Sequence, residues 1–333
     1  VAIVGTGFAG LGMAINLQKA GKEDFIIFER EADVGGTWWV NNYPGCACDV
    51  QSHLYSFSFE PNPNWSRMFS PQAEIQRYLA GCADKYQLRL KIRFNTTVVG
   101  ARFDDASQLW EVKLENGKSV TARILVSAMG PLDRPSIPEI KGIDSFKGKT
   151  FHSQQWDHDY DLKGKKVAVI GTGASAIQFV PQIANEVDTL HLFQRTPPWI
   201  MPKPDREVSR FERFLFNKLP FTQKLFRGGI YSILESRVLA FVINPRLMKL
   251  VQTQAKRHIN KHIKDPVLRA KVTPDYTIGC KRVLISDDYY PALARDNVNV
   301  ITAGVVEVRE NSVITGDGQE HEVDAIIYGT GFH

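Results

Sequence analysis

No window of this sequence holds about 18 consecutive apolar residues without a charge. The best candidate, residues 230–243, is broken by Glu235 and Arg237, so stable membrane insertion is not expected. Cysteine is scarce: the four thiols are Cys46, Cys48, Cys82 and Cys280. Cys46-x-Cys48 is neither a C-x-x-C redox pair nor part of a four-ligand zinc set, and no His-rich cluster accompanies it. The expectation is therefore structural thiols, no metal, and a reducing, cytoplasmic location. Repeats with a period of about 20–50 residues are missing, which excludes solenoids and propellers. A signal peptide is missing too. The chain opens at Val1 inside an apolar run and stops shortly after another, which reads as a piece of a longer protein, so that absence excludes no address.

What is present is an ordinary globular composition, 43% hydrophobic and 23% charged over 333 residues. That length predicts two domains. The net charge of +5 hides an asymmetry. Between Lys203 and Arg282 there are 18 Lys/Arg against 6 Asp/Glu, and the remainder of the chain is net negative. Such a stretch suits nucleic acid, an anionic membrane or an anionic cofactor, and the motifs must decide between them.

Two strand–turn–helix–strand patterns stand some 165 residues apart. The first runs from Val1-Ala-Ile-Val4 through Gly5-Thr-Gly7-Phe-Ala-Gly10 to a strand ending at Glu29. The second runs from residues 166–170 through Gly171-Thr-Gly173-Ala-Ser-Ala176 to a strand at 189–193. Two βαβ units predict an α/β protein with two doubly wound, Rossmann-like dinucleotide-binding domains. Between them, 98–103, 110–114 and 119–126 read as a β-meander with an Asn116-Gly117 turn, and the proline-rich 131–138 reads as a linker. Helical periodicity dominates 206–265, where Leu247, Leu250, Val251, Ala255, His258, Ile259 and His262 form an apolar stripe. Strands return at 298–301, 305–308 and 324–328. The expected division is a first domain over 1–135, a linker over 136–165, a second domain over 166–296 with a helical insertion at about 206–265, and a return to the first domain over 297–333.

The two glycine turns lead to strands that end in opposite charges. In the first unit, Gly5, Gly7 and Gly10 permit a tight turn and close approach of a pyrophosphate to a helix N-terminus, and Glu29 takes ribose hydroxyls. A carboxylate there repels a 2′-phosphate, so the ligand is FAD or NAD. In the second, Gly173 and Ala176 complete a variant turn, and Gln194-Arg195-Thr196 stands where an acid would be. Arg195 pairs with a 2′-phosphate and Thr196 adds a hydroxyl, which points to NADP(H). Together they describe a flavoprotein that binds FAD and NADPH.

Three further segments are specific. Gly35-Gly36-Thr37-Trp38 continues to Tyr43-Pro44-Gly45 and Asp49, with glycines for close approach to a flavin and Trp38 to cover it. Phe146-Lys-Gly148-Lys-Thr-Phe-His152-Ser-Gln-Gln-Trp156-Asp157 lies between the two glycine turns. Gly279-Cys280-Lys281-Arg282 comes after the helical insertion. Candidate cofactor-binding positions also include Tyr55, Val98, Thr172, Ala174, Ser175 and Gln178.

The segment at 146–157 resembles the F-x-G-x-x-x-H-x-x-x-W-P/D fingerprint of the Baeyer–Villiger monooxygenases, and residues 35–49 are similar to a second motif of that family at every specified position. The resemblance covers essentially the whole chain in the right order. It implies NADPH- and O2-dependent insertion of oxygen beside a ketone carbonyl, via a flavin C4a-peroxide, giving an ester or lactone. It also assigns Arg282 as the cation beside the flavin, Asp49 as its partner, and Lys281 as a second contact to the 2′-phosphate. His152 is not assigned as a general base; the family's fingerprint couples domain motion to cofactor binding. Ser127-Ala-Met-Gly130 and Tyr328-Gly-Thr-Gly331 resemble the two strands that return to the FAD domain, the first departing by Met129 in place of Thr.

The basic stretch is then explained as the frame of an anionic cofactor site, and nucleic acid is not expected. Loose association with acidic membranes through the region of Phe211, Phe214, Phe216 and Phe221 stays open. So do three other functions: a flavin-containing monooxygenase oxidising sulfur or nitrogen, a flavin disulfide reductase, and a cofactor-binding protein without catalysis. The first of these carries a tyrosine where Trp156-Asp157 stands here.

Overall fold

The computed structural model describes residues 1–238 and 248–333. Residues 239–247, part of the expected helical insertion, lie outside the described residues. The run Ala-Ile-Val has no polar alternation, which suits a parallel strand covered on both faces. The strand Ala2–Val4 pairs in parallel with Ile26–Phe28 on one side and Leu125–Ser127 on the other. Ile92–Arg93 completes a four-stranded sheet. Helix Phe8–Lys19 buries Leu11, Ala14 and Ile15 completely. Each contributes roughly 1.5–3 kcal/mol, or for the alanine less, relative to exposure.

The expected strand at 119–126 is two elements. Ser119–Ala122 closes an antiparallel meander with Val98–Asp104 and Leu109–Leu114, and Leu125–Ser127 leaves it to join the parallel sheet. The hairpin closes through residues 115–117, with Leu114 N donating to Lys118 O at 2.8 Å and Gly117 alone in the left-handed region at φ 79°.

The second unit is a five-stranded parallel sheet ordered Val298–Ile301, Thr189–Phe193, Lys166–Ile170, Ala325–Tyr328, Lys149–His152. This order corrects the expected division. The strands near 298 and 325 belong to the second sheet, not to a return to the first domain. The stretch 136–165 is not only a linker, because Lys149–His152 is an edge strand of that sheet. Apolar runs read alike whichever parallel sheet they join, so pattern alone does not assign them. Return towards the first unit begins after Tyr328, where the amide of Ser136 donates to Gly331 O at 2.9 Å and that of His333 to Arg134 O at 3.0 Å. A second antiparallel meander, Val305–Arg309, Ser312–Thr315 and Glu320–Glu322, packs with Ile140, Ile143 and Phe146 over the sheet.

The insertion is rooted where Ile200–Met201 pairs with Leu284–Ile285. Ser209 starts helix Arg210–Lys218 with a reciprocal capping box to Glu212. One residue, Leu219, separates it from helix Pro220–Val238. The segment leading into these helices, and the second helix itself, grip the first unit. Met68 N donates to Arg206 O at 2.8 Å, Val208 N to Ser66 O at 2.9 Å, and the Arg227 guanidinium to His53 O at 2.9 Å. Phe216 is buried against His53, apart from the exposed Phe211, Phe214 and Phe221. Helix Met248–His262 buries Met248, Ala255, His258 and Ile259, whereas Leu250 of the expected stripe faces solvent and Leu247 lies outside the described residues. Among the described residues, no helix is long and apolar enough to cross a membrane.

Candidate active site

The first glycine turn is built so that no side chain fits. Gly5 takes φ 101°, and a Cβ there would lie 2.6 Å from Ala128 O. A Cβ on Gly10 would come within 1.9 Å of Gly5 O, which is why the third glycine packs helix on strand. Gly36, at φ 54°, brings the 35–38 segment against Gly7. Helix Phe8–Lys19 has Gly7 at its N-cap, no side-chain cap and no acid in its first turn, so its leading amides are left for an anion.

These elements line a cleft of about 280 Å³ that includes Gly5, Gly7, Glu29, Gly36, Thr37, Trp38, Tyr55 and Val98. Gly10 and Asp49 stand outside it. Glu29 is buried and already committed: one carboxylate oxygen accepts from Thr6 N at 2.9 Å and Thr6 Oγ1 at 2.5 Å, the other from Glu31 N at 2.9 Å. A carboxylate has about four acceptor positions, so one remains for a hydroxyl of a ligand. Trp38 Nε1 donates to Tyr55 Oη at 3.1 Å, and the two rings meet edge to face. At the rim, Arg30 forks onto both carboxylate oxygens of Asp133, at 2.7 and 2.9 Å. The cradle thus fits the dinucleotide that the sequence pattern calls for.

At the second turn Gly171 takes φ 107°, and a Cβ would lie 2.4 Å from Gly329 O. Gly173 is open, so a phosphate can approach its backbone. Ala176 is fully buried against Gly329, whose own added Cβ would meet it at 3.0 Å, which explains the small residue at the third position. Thr172, Ala174 and Ser175 lie on the turn, and Thr172 Oγ1 reaches Thr196 O at 3.5 Å. Arg195 is exposed at the strand end. Lys281 Nζ lies 4.9 Å from the centre of the Tyr276 ring, and Tyr276 Oη donates to Pro197 O at 3.1 Å. Lys281 is therefore brought to the same end of the sheet as Arg195 and Thr196.

Gln178 has a different occupation. Its Oε1 accepts from Tyr43 Oη at 3.0 Å and Ala47 N at 3.3 Å, and its Nε2 donates to Ala47 O at 2.9 Å. The amide ties the second unit's first helix to the segment leading to Asp49. Asp49 in turn forms an ion pair with Arg282, which arrives from the far end of the insertion. The Arg282 side chain is 63% exposed, so most of its donors face open space.

Burial pushes the Cys46 and Cys48 thiols up to about 12, so both are held as inert thiols, which weighs against a disulfide reductase. His152 is buried, with Nδ1 accepting from Gln154 N at 3.2 Å and its ring edge-on to Phe332; burial lowers its pKa. Trp156 packs against Phe151 and Phe179, so the 146–157 segment is a packed joint. Sequence reasoning does not find Thr6 and Tyr43 as partners of Glu29 and Gln178; each sits inside a recognised motif, Thr6 at a position the pattern leaves free. Among the described residues, no cluster of His, Cys, Asp or Glu could hold a metal.

A doubly wound pair of cradles joined by an arginine–carboxylate bridge defines the class. The chain belongs to the flavin-binding monooxygenase-like family, which matches residues 1–333. It is 61% identical over 332 residues to a Baeyer–Villiger monooxygenase of Pseudomonas aeruginosa, covering all of this chain and 63% of that protein. It is 54% identical over 333 residues to one of Streptomyces coelicolor, covering all of this chain and 64% of that protein. The chain thus spans somewhat less than two thirds of the length of these relatives. Among solved structures, steroid monooxygenase bound to NADP superposes with a TM-score of 0.88 at 31% identity, over 100% of this chain and 71% of that one. A complex of OTEMO with FAD and NADP gives 0.86 at 33%, over 99% and 71%.

Proposed function

We propose that this chain carries the FAD- and NADPH-binding parts of a Baeyer–Villiger-type monooxygenase, which inserts one oxygen atom of O2 beside the carbonyl of a small-molecule ketone to give an ester or lactone. The observation that carries this reading is the Arg282–Asp49 pair, which joins the end of the insertion to the segment running out of the first cradle.

Glu29, Thr37, Trp38, Tyr55 and Val98 would hold FAD with the backbone of Gly5, Gly7 and Gly36. Thr172, Gly173, Ala174, Ser175 and Ala176 would receive the NADPH pyrophosphate, with Arg195, Thr196 and Lys281 at its 2′-phosphate. When bound, these groups supply the reducing electrons and the activation of O2. The protein's own work is electrostatic. A guanidinium stays charged at any working pH and presents donors in a planar fork. Asp49 engages one terminal nitrogen of Arg282, which fixes the plane and leaves the other donors for negative charge developing on oxygen. Gln178 and Tyr43 hold the loop from which Asp49 projects. The four cysteines are free, which supports a reducing, cytoplasmic setting.

The test is Arg282→Ala in the intact protein. Ester formation from ketones should be lost while flavin reduction by NADPH continues at a similar rate. Ester formation that persists in the variant, or a loss of flavin reduction itself, would contradict the role. Ester production also separates this reading from sulfur or nitrogen oxidation.

A further inference from the structure

The joint between the two helices of the insertion is an unusual piece of surface. Asn217, Lys218, Leu219, Pro220 and Phe221 are five consecutive exposed residues. Around them, Phe211, Phe214, Phe221 and Leu225 are 57–70% exposed. Each helix has a proper inner face as well: Phe216 on the first, and Gln223 and Ile230 on the second, are buried. Among the described residues nothing covers the outward apolar side chains, and they fall on one side of each helix at spacings of three and four.

The charge at the joint is predominantly positive, with the exposed carboxylates Glu207 and Glu235 flanking it. Between residues 208 and 234 there are five cations, Arg210, Arg213, Lys218, Lys224 and Arg227, and one carboxylate, Glu212. That carboxylate is withdrawn from the surface, since the Arg206 guanidinium forks onto it at 2.6 and 2.8 Å and Ser209 caps with it. Arg227 also turns inward, to His53 O and Ser56. Arg210, Lys218 and Lys224 are left exposed beside the aromatic rings.

We propose that this joint docks reversibly on an anionic lipid surface, with Phe214, Leu219, Phe221 and Leu225 entering the headgroup–acyl boundary and Lys218 and Lys224 meeting lipid phosphates or carboxylates. Apolar side chains beside exposed cations on helices are what interfacial binding requires. A second copy of the chain is a poorer occupant. A two-fold interface centred on the joint sets Lys218 and Lys224 against their own copies, while the exposed Glu207 and Glu235 stand at the two ends of the stretch and not at its centre.

The experiment is flotation of the intact, cofactor-loaded protein with vesicles of phosphatidylcholine alone and of phosphatidylcholine mixed with phosphatidylserine. Binding is expected to the mixed vesicles, weakening as salt is raised. Lys218→Glu/Lys224→Glu should lower the partition coefficient by at least about 25-fold, since each basic residue near such a surface contributes roughly a fivefold factor. Phe214→Ser/Phe221→Ser/Leu225→Ser should abolish flotation while leaving far-UV circular dichroism and ketone turnover unchanged. No flotation with anionic vesicles at low salt would overturn the proposal, as would flotation that both variants leave intact. A concentration-dependent dimer that the serine variant dissolves would assign the face to a second copy instead.

Discussion

Gly45 and Gln178 meet at the seam between the two nucleotide-binding units. Gly45 takes φ 77°, and a Cβ there would lie 2.6 Å from the Gln178 carbonyl oxygen, while the Gln178 side chain bonds Tyr43 and Ala47 on either side. The loop that leads to Asp49 is thus moulded onto a helix of the other unit. Gly45→Ala should destabilise the protein by at least about 1–3 kcal/mol, combining left-handed strain with a backbone clash. Gln178→Leu should leave Tyr43 Oη and the Ala47 backbone unpaired. Its expected signature is a fall in the rate of flavin reduction by NADPH larger than the fall in FAD affinity, because the joint sets the position of one cradle relative to the other. Stopped-flow reduction and FAD titration measure the two. Equal losses would mean that the latch is only structural.

Thr6 and Glu29 make a second relationship that can be broken from either side. Thr6→Val removes the hydroxyl donor at 2.5 Å but keeps the amide donor at 2.9 Å. It should lower thermal stability of the FAD-free protein by about 1 kcal/mol. Glu29→Gln presents an NH2 group to donors inside a buried site. It should cost about 1–3 kcal/mol and weaken FAD binding as well. An FAD affinity unchanged by Glu29→Gln would remove this carboxylate from the ribose-binding role.

Much of the fold was legible because its signals are local. A glycine turn between an apolar strand and a periodic helix is the local signature of a βαβ unit, and the acidic and basic strand ends at Glu29 and Arg195 distinguish the two turns from sequence alone. Sheet membership was not legible. Val298–Ile301 and Ala325–Tyr328 are apolar strands that either sheet could have taken, and the choice depends on long-range pairing with Thr189–Phe193 and Lys166–Ile170. The same limit applies to Gln178. It is among the expected cofactor contacts, whereas tertiary packing gives its amide to Tyr43 and Ala47. Arg282 and Asp49 were paired through motif resemblance, since 233 residues separate them and no local pattern connects them.

The proposed roles of Arg195 and Lys281 put both side chains on the 2′-phosphate of NADPH. Arg195→Ala and Lys281→Ala should each raise the dissociation constant for NADPH about tenfold to hundredfold, the worth of a hydrogen bond to a charged group. Binding of NADH, which lacks the 2′-phosphate, should change little. Titration of both nucleotides against each variant measures the ratio. A parallel loss for NADH and NADPH would show that these side chains maintain the local fold and do not select the phosphate.

His53 gives the protein a built-in acid sensitivity. Its ring is 1% exposed, lies between Phe216 and Phe226 at 4.9 and 5.2 Å, and has no hydrogen-bond partner on either nitrogen among the described residues. Burial holds its pKa down to about 4, with Glu212 raising it and Arg206 lowering it by less. The unfolded chain takes up a proton as pH falls through about 6.5, whereas the folded chain does not until about 4. The stability contributed by the neutral ring is therefore complete above that higher value and is lost as pH falls between the two. Below about 4 both states are protonated and the loss stops. At pH about 4.5 the loss should reach about 2–3 kcal/mol relative to neutral pH. His191 is depressed in the same way and adds to the total slope, so a difference measurement isolates His53. His53→Phe keeps the aromatic contacts and cannot be protonated. Urea unfolding of both proteins at neutral pH and at pH about 4.5 should show the parent losing about 2–3 kcal/mol more than the variant on acidification. Parallel losses in the two proteins would mean that the ring finds a proton-accepting partner or water in the folded state, and that the insertion is not the acid-labile contact on the first unit.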